Sequence, residues 1–265
     1  MSMSQDLLER HEGALRVLSL NRPERRNALN APMLESLASA LRAAADDGEV
    51  GAVLLRGEGP AFCVGGDVKG MAEGAGRDLT LEQRLRSLRA RMEGARLLHT
   101  MAKPTMAAVH GAVAGAGLAI ALACDFRVVA CSTKITTAFA KVGLSGDFGG
   151  SWFLTQIVGT ARARDLYLRP RVLSADEALA LGIATEVVDD DVLPARALAF
   201  AHELANGPRV TLGYMKQNLN FALHGTLESA LDLEALHHTM SAATDDHKEA
   251  AAAFVEKRAP RFVGR

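Results

Sequence analysis

The sequence predicts a mixed α/β (α+β) body followed by an all-helical C-terminal region. Three observations carry that prediction. Strand-like and helix-like patterns alternate as far as Asn206-Gly207-Pro208, and after that tripeptide the strand patterns stop. The chain has 265 residues, 49% hydrophobic and 23% charged, enough to bury a full core without staples. The body is expected to span 1–205 and the helical region 206–265.

The elements follow in order. Gly13 to Leu20 alternates apolar and polar residues, as a strand does. Pro32 to Ala45 has helical spacing. Val50 to Arg56 is a short apolar, β-branched run, the pattern of a buried strand. Thr80 to Leu98 carries apolar residues at helical spacing with many arginines between them, and reads as one helix. Thr105 to Val109 is a short strand, Gly117 to Ala123 a small-residue helix, and Phe126 to Ala130 another strand. Trp152 to Val158, Ser174 to Leu181 and Leu193 to Ala205 read as helices. Ser174, three residues before Glu177, has the spacing of a capping box. Val210 to Leu223, Leu227 to Met240 and Asp246 to Lys257 complete the helical region.

Composition excludes several classes. Lys+Arg is 30 against Asp+Glu 31, a formal charge of −1, and aromatics are 5%. Neither a basic surface for counterion release nor a base-stacking platform is indicated. Cys63, Cys124 and Cys131 form no CxxC pair, so no zinc site and no metal is expected. An odd number of thiols fits a reducing compartment, and no signal-peptide pattern opens the sequence, so a cytoplasmic protein is expected. Met106 to Cys124 is apolar apart from His110, but it is mostly Ala and Gly and splits into strand, turn and helix. A membrane span is not expected there.

Two glycine-rich turns follow strands: Ala61-Phe62-Cys63-Val64-Gly65-Gly66-Asp67 and His110-Gly111-Ala112-Val113-Ala114-Gly115-Ala116-Gly117. Small residues let a ligand approach the backbone, and a helix start adds partial positive charge. Two such turns facing each other would offer two donors to one developing oxyanion. Gly115-x-Gly117-x-x-Ile120 lacks the third glycine of a dinucleotide fingerprint. Tight strand-to-helix packing would explain the same glycines.

The order of motifs resembles the crotonase superfamily, the enoyl-CoA hydratase/isomerase fold. The matching stretches are NRPERRNALN (21–30), AFCVGGD (61–67), HGAVAGAGLAIALACDFRVVA (110–130), KVGLSGDFGGSWFLTQIVG (141–159), SADEALALGIATEVVD (174–189) and EKRAPRF (256–262). The resemblance implies a spiral of ββα units with a C-terminal helical trimerisation region, assembled as a homotrimer or a dimer of trimers. It implies an acyl-CoA thioester substrate, with coenzyme A part of the substrate and no separate cofactor. Gly66 and Ala116 match the positions whose N–H groups hold the thioester carbonyl. The resemblance places Arg26, Ala28, Ala61, Gly65, Asp67 and Val68 along the substrate, with Asp67 more a brace for its loop than a chemical group.

The departures from the family pattern carry most of the functional reading. Hydratases of the family use two glutamates, one to activate water and one to manage the proton. The matching positions are Ala119 and Phe139, both apolar. Asp147 remains, in Ser145-Gly146-Asp147-Phe148-Gly149-Gly150. The segment TAFAKVGLSGDFGGSW is similar to that of 1,2-epoxyphenylacetyl-CoA isomerases and Δ3,Δ2-enoyl-CoA isomerases. One carboxylate in a pocket lined by Phe139, Phe148, Trp152 and Ala119 would suffice for isomerisation, because desolvation makes it a better base. An Asp147 serving only as a turn residue, or as N-cap to the following helix, is the competing structural reading. Hydration through Asp147 and a water, and a catalytically silent acyl-CoA-binding subunit, are the functional alternatives. Dehalogenation by a nucleophilic aspartate ranks below these, since it needs a histidine from the Arg-rich helix and His99 lies several residues off. Cys63 has no base, His110 starts a turn, His237 and His238 are adjacent and share no helical face, and Asp189-Asp190-Asp191 reads as a solvated turn.

Overall fold

The computed structural model describes residues 6–67, 70 and 78–265. Eight strands are described: β1 Leu7–Glu12, β2 Leu15–Leu20, β3 Ala52–Gly57, β4 Thr105–Val109, β5 Ala112–Ala114, β6 Phe126–Ala130, β7 Lys134–Thr136 and β8 Glu186–Val188. The described helices are α1 Ala31–Asp46, α2 Leu81–Arg91, α3 Glu93–Thr100, α4 Ala116–Ala123, α5 Gly150–Val158, α6 Thr160–Leu168, α7 Ala175–Ala180, α8 Leu193–Ala205, α9 Arg209–Ala222, α10 Leu227–Ala242 and α11 Asp245–Glu256.

The larger sheet runs β1-β2-β3-β4-β6-β8, and every pair after the antiparallel β1–β2 hairpin is parallel. β5 and β7 form a second parallel sheet, extended by bridges from Cys63 to Val113 and from Leu173 to Ile135. The chain therefore visits the large sheet, then the small one, then a helix, and repeats: β4, β5, α4, then β6, β7, α5. That is a spiral of ββα turns.

Alternation along the strands builds a core on each face of the large sheet. Val53, Leu55, Ala107 and Val109 face a core shared with α1, α3, α4 and α5. Leu54, Met106, Ala108 and Val128 face a smaller core under α8. Central strands buried on both faces read as continuous apolar runs, which is why they are legible in the sequence.

Four sequence expectations change. β1 (LLERHE) is an edge strand with a charged face, so its composition hides it. β5, β7 and β8 have three residues each, too short to show a period. The single helix expected over Thr80 to Leu98 is two, divided at Met92. α2 buries no residue, whereas α3 lays Gly94 against Leu37 of α1, so the two halves answer to different surroundings. α6 was not expected. The Ser174–Glu177 capping box is present in both directions.

One buried charge ties the C-terminal helices to the body. Lys216 of α9 is 6% exposed and pairs with Asp125 at 2.8 Å. It also donates to the carbonyls of Leu98 (2.7 Å) and Lys103 (3.0 Å). Burial pulls its pKa down, and Asp125 opposes that. Removing one partner of a buried pair strands the other. Lys216→Met is thus expected to cost about 3–5 kcal/mol, read as a lower urea midpoint.

Candidate active site

Asn27 organises one wall of the cleft. It is fully buried with φ +55, and its amide donates to the carbonyls of Glu58 (2.9 Å) and Ala61 (2.7 Å). Its carbonyl accepts from the Arg22 amide at 2.8 Å. This staples the NRPERRNALN loop to the first glycine-rich turn. Arg22 in turn reaches Asp67 at 3.2 Å. The Gly70 amide and then Arg22 hold the Asp67 carboxyl below its ordinary range. Asp67 accordingly braces the loop.

Beside this staple lies a cavity of ≈ 490 Å³ lined by Arg25, Arg26, Ala28, Val64, Gly66 and Asp67, with Glu24 at its edge. Arg26, Ala28, Gly66 and Asp67 are thus brought together as the sequence implied. Ala61 is 1% exposed and its carbonyl accepts from Asn27, so any ligand contact there would be through the backbone. Val68 lies outside the described residues.

The two turns do face each other. Cys63 and Val113 bridge, with Cys63 N donating to Ala112 O and Ala114 N to Cys63 O. Leu29 bridges Gly66 in parallel, donating to Gly65 O and accepting from Asp67 N. In that register the N–H of Gly66 itself points away from Leu29. Gly65, at φ +93, sits so close that a Cβ on it would lie 2.9 Å from Ala114 O and 3.4 Å from Ala116 N. A side chain at 65 would intrude between the turns, which is why glycine stands there. Ala116 opens α4 with no side-chain cap, leaving its N–H unused by the helix. Neither Gly66 N nor Ala116 N donates to a protein group among the described residues.

Asp147 lies on the loop before α5, and the structure sets aside the capping reading. The N-cap of α5 is Gly149, with no side-chain cap bond. Asp147 contributes only its backbone carbonyl to the turn, accepting from Gly150 N at 3.0 Å. One carboxylate oxygen, Oδ1, is buried with no partner among the described residues. Burial pushes the carboxyl pKa up to about 6.

The surroundings of Asp147 connect it to the two turns. A Cβ on Gly115 would lie 3.7 Å from the Phe139 ring, and one on Gly146 3.8 Å from the same ring. Phe139 therefore spans from the start of α4 to the Asp147 loop. Ala119, one helical turn after Ala116, packs against Gly150. Phe148 is buried, at φ +50.

Trp152 is 41% exposed and lines a cavity of ≈ 480 Å³ with Phe148 and Gly149 of the Asp147 loop and with Met92, His99 and Phe153, whereas Phe139 and Ala119 do not line it. It faces that way because α5 presents position 152 to α3, where His99 meets Trp152 and Phe153 edge-on at 5.2 and 5.3 Å. Burial lowers the His99 pKa and so favours the neutral ring. An aromatic residue found beside Asp147 is Tyr167 of α6. It stacks on Phe139 at 5.8 Å, and its pKa is raised by burial and then by the Asp147 charge. It lies 20 positions downstream in a helix with no local motif, so the sequence offered no signal for it.

Other candidates take structural places. The Cys63 thiol is buried, bonded to Asn27 O at 3.0 Å and pushed up to about 12, far from a thiolate. His110 Nε2 lies 2.8 Å from Gly59 O. No cluster of three or more His, Cys, Asp or Glu suited to a metal occurs among the described residues. No helix there is long and apolar enough to cross a membrane.

This fold, with two facing backbone turns and a buried carboxylate, defines the class, and comparison with known proteins gives the family. Residues 10–265 match the Enoyl-CoA hydratase/isomerase family model, so the chain belongs to that family, the crotonase superfamily. It is 37% identical over 268 residues to the 1,2-epoxyphenylacetyl-CoA isomerase of Escherichia coli K12, covering 99% of this chain and all of the relative. It is 31% identical to the crotonyl-CoA hydratase of Syntrophomonas wolfei, covering all of both chains. The crystal structure of an enoyl-CoA hydratase from Polaromonas sp. JS666 matches with a TM-score of 0.91 at 33% identity, over 97% of this chain and 99% of that one.

Proposed function

We propose that the chain is an acyl-CoA isomerase that shifts a double bond, or opens an epoxide, in an acyl-CoA thioester. One observation carries this reading. The half-buried carboxylate of Asp147, its Oδ1 enclosed without a partner among the described residues, stands near Ala119 and Phe139, which supply no second acid. In the double-bond shift, Asp147 removes a proton made acidic by the thioester. The electron pair moves onto the thioester oxygen, which the N–H groups of Gly66 and Ala116 stabilise. Asp147, now the acid, returns the proton to a different carbon as the dienolate collapses. A carboxyl near pKa 6 suits both directions at neutral pH.

The cavity at Arg25, Arg26 and Ala28 supports a place for the coenzyme A arm, with the arginines favouring its phosphates. The chemistry draws on no cofactor beyond the coenzyme A of the substrate. Exposed Leu219, Leu227, Leu231, Phe254 and Val255 on the C-terminal helices support self-association as a trimer or dimer of trimers. The second reading, hydration by Asp147 and a water, is favoured by the hydratase names of several relatives.

The test is incubation with 3-enoyl-, 2-enoyl- and epoxyphenylacetyl-CoA, with product masses and deuterium uptake from heavy water recorded. Isomerisation gives a product of unchanged mass from the first or third, with activity rising through about pH 6 as Asp147 ionises. A gain of one water from 2-enoyl-CoA alone would establish the hydratase. Binding without turnover on all three would establish a silent subunit.

A further inference from the structure

The phenol of Tyr167 and Oδ1 of Asp147 are both without a hydrogen-bond partner among the described residues. The room Tyr167 occupies is made by two glycines of the Asp147 loop. A Cβ on Gly150 would lie 2.5 Å from Tyr167 Oη and 2.9 Å from the Ala119 methyl. A Cβ on Gly146 would lie 3.1 Å from the Tyr167 ring and 3.6 Å from Oη. Ala119 and Phe139 are the positions at which the family pattern would place acids, and the phenol borders both, stacking on one and meeting the other at Gly150. Tyr167 is half-buried, so its phenol is open to a ligand, while Asp147 Oδ1 is an enclosed acceptor of the kind that folded proteins normally satisfy. A donor and an acceptor left open about one loop point to a ligand group that accepts from one and donates to the other, and a hydroxyl is the simplest such group.

We propose that Tyr167 is a further catalytic residue, donating a hydrogen bond to an oxygen carried on the acyl chain while Asp147 accepts from that oxygen when it is a hydroxyl. The assignment rests on the acyl-thioester reading of the site and deepens it. It gives the pocket a preference for acyl groups bearing oxygen near the thioester, as a hydroxyl or an epoxide, over plain hydrocarbon chains. The epoxide oxygen accepts from Tyr167 alone. The phenol is neutral at pH 7, because both burial and the nearby carboxylate oppose its ionisation.

The test is calorimetric titration of the full-length protein with a 3-hydroxyacyl-CoA and with the saturated acyl-CoA of the same length. The parent is expected to bind the hydroxyl-bearing thioester about tenfold more tightly, the value of one well-made hydrogen bond. Tyr167→Phe keeps the ring stacked on Phe139 and should lower the ratio of the two affinities severalfold, Asp147 still accepting from the hydroxyl. Equal affinities in the parent, or a ratio unchanged in Tyr167→Phe, overturn the assignment. Failure of the parent to bind either thioester overturns the acyl-thioester reading and the assignment with it, a result distinct from binding without preference.

Discussion

Asp147→Asn is expected to lose turnover by about 10³-fold while its affinity for acyl-CoA stays within about threefold of the parent. Ala119 and Phe139, where the family pattern would place acids, are apolar and cannot inherit its task. The same substitution should stabilise the protein at alkaline pH. The folded-state pKa of Asp147 is about 6 against an ordinary 3.8, so folding favours the protonated form. Its contribution to stability is full below pH 3.8 and is lost as pH rises through about 6. Asparagine has no charge to bury and escapes that loss. With the group partly exposed, the gain at pH 8 is about 1–2 kcal/mol, or roughly 3–5 °C in melting temperature. At pH 4 the two melting temperatures should nearly converge. A variant that melts below the parent at pH 8 would mean that the carboxylate has a partner in solution.

The second large effect concerns a backbone donor. Ala116 is the first residue of α4, and its N–H bonds nothing within the helix. Proline is tolerated at that position because the missing N–H would be unused and its φ suits the helix. Ala116→Pro thus deletes one of the two proposed oxyanion donors and leaves Gly66 in place. Turnover should fall by roughly 10²–10³, or about 3–4 kcal/mol of transition-state stabilisation. Far-UV circular dichroism would confirm that the fold is retained. A folded variant with parent-like kcat would remove Ala116 from the oxyanion hole.

The contrast between what the sequence disclosed and what it hid follows chain distance. Thr105–Val109 and Phe126–Ala130 are buried on both faces, so composition marks their ends. The Ser174–Glu177 box is a local bond pattern with a fixed spacing. The glycine-rich turns and the Asp147 loop are contiguous motifs, and Gly66, Ala116 and Asp147 could be singled out from them. β1 stayed hidden because an edge strand need not be apolar. Tyr167 stayed hidden because it reaches the Asp147 loop only through packing, by stacking on Phe139. Trp152 shares a cavity with Phe148, but its edge-on contact with His99 depends on which way α5 turns, which the sequence does not say.

The proposed isomerisation requires that Asp147 remove a proton beside the thioester. The direct measurement is deuterium uptake into the acyl carbons of a bound acyl-CoA in heavy water, followed by mass in the parent and in Asp147→Asn. The parent should incorporate deuterium at a rate that climbs through about pH 6, and the variant should incorporate almost none. Uptake by the variant at the parent's rate would contradict the account, because the base would then be another group.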